Sequence, residues 1–586
     1  MKAILIMFDS LNRRFLEPYG SNEGLTPNFQ RLSDHAITFD QFYAGSLPCM
    51  PARREMHTGR YNFLHRGWGP LEPFDDSAVE LLKQRHIYTH LITDHKHYWR
   101  DGGATYHNRF SSYELVRGQE GDLWIGQVHR PVIEGILGES EAKKERKRLS
   151  RTQDLINRNY MDQHGKPSMV RVMDKALEFL DTNASADQWF LQVECFDPHE
   201  PYYVPEAYLQ KVGVKGRFDG WPEYYPVTED RDRMAMIQGY YKALLAMADD
   251  YLGRLLDKIT ALDLWKDTMV ILCTDHGFLL GEHDWWGKSF MPVYQDLAQL
   301  PFMLWDPRLQ VAGTRFSGLS QTIDIAPTLL QYFNQPIPSD MMGVPLTPCI
   351  AEGQAPHAEI LFGYFGCNVN WSDGRHVYLR SAPEDQSDAL YEFTLMPTRI
   401  NRRFTPSELT RAELRKPFSF TKNVPVLKIP SEDLIAPGHS RFGNRLYDLR
   451  SDPHQTTPIS DAALEARILN AMRRLMIATD ADASSLTYFG VDHPFTEADV
   501  REEWRLRKQK LNDDDLGVEF ESMAVRKGCL DVLEWMETDA RDRAKRALPR
   551  GSKLTLLDLQ QWIIRVVEPN RRDEARYRLF LYAKVD

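Results

Sequence analysis

Cys49 stands in "LPCMPARREMHTGR" (47–60), between Pro48 and Pro51 and four residues before Arg53. A cysteine in that setting is a buried thiol, a metal ligand, a nucleophile, or a residue that does not stay a cysteine. Pro51 suits the first turn of a helix and Gly59 its C-terminal stop. The spacing therefore predicts a helix with Cys49 at its N-terminus and Arg53 one turn on, on the same face. Free N–H groups and the helix dipole favour anions there and lower a thiol's pKa. Four further segments end in ionisable groups. Asp9-Ser10 follows "AILIMF", Asp94-His95-Lys96-His97 follows "HIYTHLI", and Asp197 and His199 follow "WFLQVECF". Asp275-His276 follows "TMVILCT" and leads into "LLGEHDWWGKS", which carries Lys288. Asp9, Asp275 and His276 offer two carboxylates and an imidazole. That set suits a hard divalent ion (Ca²⁺, Mg²⁺ or Mn²⁺), and the imidazole tilts it towards Mn²⁺. The bland alternative for Asp-His-Gly is a polar turn. A thiolate beside a hard ion is a poor match, so an oxygen nucleophile would suit the site better.

The elements that must carry these groups are short continuous apolar runs, the mark of strands buried on both faces. They are "AILIMF" (3–8), "HIYTHLI" (86–92), "WFLQVECF" (189–196), "TMVILCT" (268–274) and, more weakly, "PFMLW" (301–305). Amphipathic helical stretches lie between them, at 169–182 and 240–262. Alternating strands and helices predict an α/β fold with a large, mostly parallel sheet flanked by helices, whose strand ends gather the polar clusters on one edge. Isolated charges at such an edge cost desolvation unless paired or metal-bound. Beyond about residue 355 the texture changes. "EILFGYF", "RHVYLRS" and "ALYEFTL" read as short antiparallel strands, and 463–478 as a helix. This gives a catalytic α/β domain at 1–355 and a smaller C-terminal α+β subdomain at 356–485. A helical C-terminal extension at 486–586 would serve packing or oligomerisation.

Composition bounds the function. The 586 residues are 42% hydrophobic and 26% charged, with a net charge of −11. That argues against a dedicated nucleic-acid binder but leaves a locally positive pocket open to anions. No apolar run is long enough to span a membrane, and "MKAILIMFDS" reads as a core strand, not a signal peptide; a cytoplasmic protein is expected. The six cysteines are scattered without a C-x-x-C pair, so neither a disulfide framework nor a structural zinc site is expected.

Together these segments resemble the formylglycine-dependent (type I) sulfatases of the alkaline phosphatase superfamily. "CMPAR" matches the C-x-P-x-R signature and "HTGRY" the Thr-Gly-Arg after it. "TDHG…LGEHDWWGKS", "DPHEPY" and "LYDLRSDPHQ" resemble the later blocks, in the right order, over roughly residues 1–480. The resemblance implies an alkaline phosphatase-like fold and hydrolysis of a sulfate ester of a small or carbohydrate-derived molecule. It also implies that a formylglycine-generating enzyme oxidises Cys49 to formylglycine. Its hydrate would attack sulfur, and the covalent intermediate would break by C–O cleavage. Carried over residue by residue, the catalytic set is Cys49, Arg53, His97, His199 and Lys288. Arg53 and Lys288 would neutralise the transferring group, His199 or Lys288 would protonate the leaving oxygen, and His97 would be the base. The substrate side is His95, Lys96 and Lys288. The metal side is Asp9, Ser10, Cys49, Asp275 and His276, holding one divalent ion, with Ca²⁺ ahead of Mn²⁺ and Mg²⁺. Partners would be the small sulfate ester and the maturing enzyme, with no nucleic acid, no membrane, and a homo-oligomer expected.

Three departures stand out. Asp9-Ser10 replaces a pair of aspartates, and Asp275-His276 replaces Asp-Asn. His95 stands where the family's Gly-Lys-Trp-His run has its Lys. The first two are shared with phosphonate monoester hydrolases, which keeps a phosphonate monoester or phosphodiester substrate as the alternative. A third alternative is a non-catalytic binding protein that keeps Cys49 unmodified. Trp285 and Trp286 read as core or rim packing.

Overall fold

The structure is a computed structural model. It describes residues 1–133, 141–227, 229–309, 311–382, 390–432, 442–512, 520–536, 538–549, 553–568 and 571–580. The main sheet has eight strands: β1 (Lys2–Phe8), β2 (Ile37–Phe39), β3 (Tyr88–Thr93), β4 (Ser112–Leu115), β5 (Trp189–Cys195), β6 (Thr268–Cys273), β7 (Met303–Trp305) and β8 (Thr314–Phe316). Their spatial order is β8-β2-β7-β6-β1-β5-β3-β4. β6, β1, β5, β3 and β4 run parallel, as expected. The "PFMLW" strand differs: β7 is antiparallel to both β6 and β2. An apolar run records burial, not direction.

The continuous apolar runs follow from two covered faces. In β1, Ala3, Leu5 and Met7 pack into one core with helices Cys49–Thr58 and Ile325–Tyr332. Ile4, Ile6 and Phe8 pack into the other core, under helices Ser168–Asn183 and Arg231–Ala261. Each buried aliphatic side chain is worth about 1.5–3 kcal/mol relative to exposure. The 31-residue helix begins at Arg231, well before the apolar stripe at 240. Its start is set by Asp230, whose side chain accepts from the Arg233 N–H at 2.8 Å. An N-cap of this kind satisfies a donor the helix cannot.

A five-stranded second sheet contains Ile360–Tyr364, Asn368–Ser372, His376–Ser381, Arg445–Asp448 and, at its edge, the dipeptide Ser46–Leu47. That last strand comes from just before Cys49 and runs parallel to Ile360–Tyr364. "ALYEFTL" lies elsewhere: Tyr391–Thr394 belongs to a separate three-stranded sheet with Val426–Pro430 and Glu413–Arg415. Helix Ala462–Ala478 covers the second sheet, and Tyr488, Phe489, Val491 and Phe495 share its core. The hydrophobic packing of the subdomain thus continues past residue 485. From Met523 the chain builds another core, around Val525, Cys529, Leu533, Trp562, Ile563 and Leu579. The final residues of the "RYRLFLYAKV" run, 581–585, lie outside the described residues. No described helix is long and apolar enough to cross a membrane, and all six cysteines are free thiols.

Candidate active site

The polar clusters meet at the carboxyl ends of β1, β3, β5 and β6. Ligand atoms of Asp9, Cys49, Asp275 and His276 lie within 4.8 Å of one another, all buried. Cys49 opens the helix Cys49–Thr58, which ends at Gly59 with φ 60°. The Gly59 N–H donates to the Glu55 carbonyl at 2.8 Å. Glu55 also ties down the approach to Cys49: its carboxylate accepts from the Ser46 N–H at 2.6 Å and from the Thr322 hydroxyl. Burial pushes the Glu55 carboxyl up to about 7.

Arg53 is committed more deeply than its expected contact with a transferring group. Its Nε donates to Glu194 Oε1 (2.6 Å), Nη1 to Asp275 Oδ2 (2.7 Å) and the Cys49 carbonyl (2.9 Å), and Nη2 to Asp9 Oδ2 (2.9 Å). All of these side chains are at most 1% exposed. Arg53 thus clamps carboxylates in place, the forked role in which guanidinium excels. Glu194 was missed by sequence reasoning. Its signal was a lone carboxylate in a mostly apolar, doubly buried strand. Tyr98 Oη donates to its other oxygen at 2.8 Å.

The set fits a divalent cation. His276 Nδ1 donates to the Gly277 carbonyl at 2.8 Å, which fixes the tautomer and leaves Nε2 free to ligate. That nitrogen lies 3.2 Å from Cys49 Sγ and 3.4 Å from Asp275 Oδ2. Three buried carboxyl groups (Asp9, Asp275, Glu194) gather beside two buried cations (Arg53, Lys288), so full ionisation of the centre calls for further positive charge. Burial and the neighbouring Asp275 hold the Asp9 carboxyl well above the usual carboxylate range. Burial works against the Asp275 carboxylate too, but its cationic neighbours, the Arg53 guanidinium among them, outweigh it and hold it low. Burial lowers His276 to about 3, keeping the imidazole neutral as a ligand must be. Burial and Asp9 raise the Cys49 thiol far above its ordinary value. The buried thiol is therefore protonated, contrary to the lowered pKa that the helix terminus alone suggests.

Ser10, placed on the metal side by its position, has φ 60°. Its hydroxyl donates to Asp9 Oδ1 at 2.9 Å and accepts from Lys288 Nζ at 3.2 Å. Lys288 also reaches Cys49 Sγ at 3.5 Å and His199 Nε2 at 2.6 Å. His199 Nδ1 donates to the Glu200 carbonyl, so Nε2 is the acceptor of the lysine's proton. Burial opposes the Lys288 charge, but the neighbouring carboxyl groups of Glu200 and Asp9 favour it and its pKa is raised; burial and Lys288 lower that of His199.

The "DHKH" run is brought to the same place. His95 is wholly buried, its Nδ1 3.8 Å from Asp9 Oδ2, and neither ring nitrogen has a hydrogen-bond partner. Lys96 Nζ donates to the Glu120 carbonyl and lies 3.2 Å from Glu120 Oε2. His97 Nε2 lies 3.5 Å from the same oxygen, and its ring meets Trp68 edge-on at 4.7 Å. The groups in direct contact with Sγ are His276 and Lys288. Trp285 and Trp286 are core residues, 1% and 0% exposed.

Gly277 has a packing reason. A Cβ there would stand 1.8 Å from the Asp296 carbonyl oxygen. Gly277→Ala is expected to cost about 1–3 kcal/mol, read as a lower thermal midpoint. Divalent-metal affinity should fall with it, because the carbonyl that orients His276 must shift. An unchanged midpoint and affinity would refute this.

Residues 2–335 match the family model described as Sulfatase. The chain is 23% identical over 444 residues to an N-acetylglucosamine-6-O-sulfatase of Bacteroides thetaiotaomicron, covering 64% of this chain and 76% of that one. Among solved structures, the phosphonate monoester hydrolase of Agrobacterium radiobacter superposes with a TM-score of 0.55 at 17% identity, over 82% of this chain and 96% of its own. A protein solved with its substrate D-glucosamine-2-N,6-O-disulfate gives a TM-score of 0.54 at 15% identity, over 84% and 98%. The two solved structures thus share this chain's fold.

Proposed function

The chain belongs to the sulfatase family of sulfuric ester hydrolases, and on that premise we propose that it cleaves the sulfate ester of a small carbohydrate-derived molecule, with position 49 as the nucleophile. The observation that carries this is the convergence of Cys49 with Asp9, Asp275 and His276 within 4.8 Å, with Lys288 in contact with Sγ. Once a maturing enzyme has converted the residue, a formylglycine hydrate oxygen would stand where Sγ stands now. Asp9, Asp275 and His276 would hold one divalent ion, which when bound supplies Lewis-acid polarisation of the ester oxygens. The carbohydrate preference is supported by the N-acetylglucosamine-6-O-sulfatase relative.

The chain's own groups have distinct tasks in this reading. Arg53 positions the two metal-side carboxylates and Glu194. Lys288 carries positive charge beside the nucleophile, where negative charge gathers on the transferring group. It is also the group with protons to give: His199 Nε2 accepts from it, so the proton for the leaving oxygen comes from Lys288, with His199 orienting the ammonium. His97 sits with Glu120 and is assigned to the substrate side in place of the base role.

A phosphonate monoester reading stays in view because Ser10 stands where a further carboxylate would add charge, its hydroxyl meeting Lys288, and because His276 stands beside Asp275 in the metal-side set. Side-by-side turnover of 4-nitrophenyl sulfate and an aryl phosphonate by matured, metal-loaded protein separates the two. Sulfate hydrolysis with the higher kcat/KM is expected. Equal or faster phosphonate hydrolysis would overturn the sulfatase assignment.

A further inference from the structure

We propose that Glu120 is a specificity-determining residue whose carboxylate, together with that of Glu200, forms an acceptor wall that selects a hydroxyl-rich, sugar-type leaving group. This rests on the hydrolase reading above and extends it to a residue outside the family-like motifs. Glu120 lies in "GQEG", a loop held in an unusual conformation: Gly118 has φ 131°, Glu120 itself φ 48° and Gly121 φ 67°. A non-glycine residue at positive φ is strained and persists only where its surroundings enforce it. Here they do. A Cβ at Gly121 would fall 2.3 Å from the Ser150 carbonyl oxygen of helix Glu141–His164. Gln119 Nε2 bonds Asp94 (3.3 Å) and Asp197 (3.2 Å) at the ends of β3 and β5.

The loop delivers a carboxylate next to the reacting groups. Glu120 Oε2 is ion-paired with Lys96 Nζ at 3.2 Å and lies 3.5 Å from His97 Nε2, which leaves the carboxylate with acceptor capacity to spare. Oε2 itself is buried, while the side chain as a whole keeps 20% of its exposure, so another part of it borders open space. Glu200 shows the same pattern from the other strand end. Its Oε1 accepts from Tyr224, while Oε2, 3.2 Å from His199 Nδ1, accepts nothing. His199 in turn contacts Lys288, which contacts Cys49. The His97 Nδ1 and both nitrogens of His95 are likewise unpartnered and buried. Lys96 holds the Glu120 carboxyl below its ordinary value against the burial that opposes it, whereas burial pushes the Glu200 carboxyl up to about 7, so Glu120 is the anionic member of the wall at neutral pH. Buried acceptors without donors are costly. A polyol leaving group supplies those donors; a phenol supplies none. Sites built to hydrogen-bond a substrate hydroxyl discriminate strongly against analogues that lack it.

The test compares glucosamine 6-sulfate with 4-nitrophenyl sulfate on matured wild type and on Glu120→Gln, which keeps the side-chain shape. Losing a charge-assisted hydrogen bond should lower kcat/KM for the sugar sulfate about 10–100-fold and leave the aryl sulfate within about twofold. An equal fall for both esters, or no fall for either, overturns the proposal. A thermal midpoint close to wild type certifies the variant's fold. If wild type hydrolyses neither ester, the hydrolase reading fails on its own. The wall is then judged by calorimetric binding of glucosamine 6-sulfate to the unconverted thiol protein. Weaker binding by Glu120→Gln supports the wall and equal binding overturns it.

Discussion

Arg53→Ala is expected to destabilise the protein by about 3–5 kcal/mol and to abolish activity. The guanidinium meets Asp9, Asp275 and Glu194 within 2.6–2.9 Å, with every partner shut away from water. Deleting it strands three buried carboxylates, and breaking one buried ion pair already costs about that much. Arg53→Lys should recover little, because an ammonium cannot engage three carboxylates with a fork's geometry. Urea denaturation at constant slope would measure the loss. The deficit should shrink when a divalent cation is added, since the cation neutralises Asp9 and Asp275 and binding stabilises the folded state. A variant within about 1 kcal/mol of wild type would show that the clamp contributes no more than a surface pair. A deficit indifferent to divalent cations would count against the metal assignment.

Cys49→Ala should separate chemistry from folding. The thiol touches His276 at 3.2 Å and Lys288 at 3.5 Å, contacts that contribute little to stability beside those of Arg53. Its removal should cost no more than about 1.5 kcal/mol. Turnover of the sulfate ester should fall on the order of 10⁴-fold or more, as when a covalent nucleophile is deleted from a working unit. Peptide mapping of active wild-type protein should find an aldehyde or its hydrate at position 49. Turnover within tenfold of wild type in Cys49→Ala, or full activity with an intact thiol, would remove position 49 from the nucleophile's role.

The sequence signals that succeeded and those that failed differ in kind. β1, β3, β5 and β6 were legible because burial on both faces forces uninterrupted apolar runs, and the polar residues ending those runs marked the site edge. β2 and β8 span three residues each, too few to make a pattern. The reversal of β7 is a matter of topology that its composition does not carry. At the site, Asp9, Cys49, Asp275 and His276 were recognisable by type and position. The partners of Arg53, His97 and Lys96 were not, because Glu194 hides in a core strand and Glu120 in a glycine loop. Long-range pairings of this sort have no local signature.

The dipeptide Ser46–Leu47 belongs by pairing to the smaller sheet, with Ser46 opposite Gly363 and Leu47 opposite Tyr364. The hydroxyl of Tyr364 reaches across to the carbonyl of Lys288. The two units are therefore not modules that could be inherited or engineered apart. A fragment ending near residue 355 would keep the eight main-sheet strands and every polar motif up to Lys288, yet lose the splint on both sides of the sulfur. The smaller sheet acts as the jig that sets the nucleophile and its lysine at working distance, and reactivity is bounded by the cohesion of that joint.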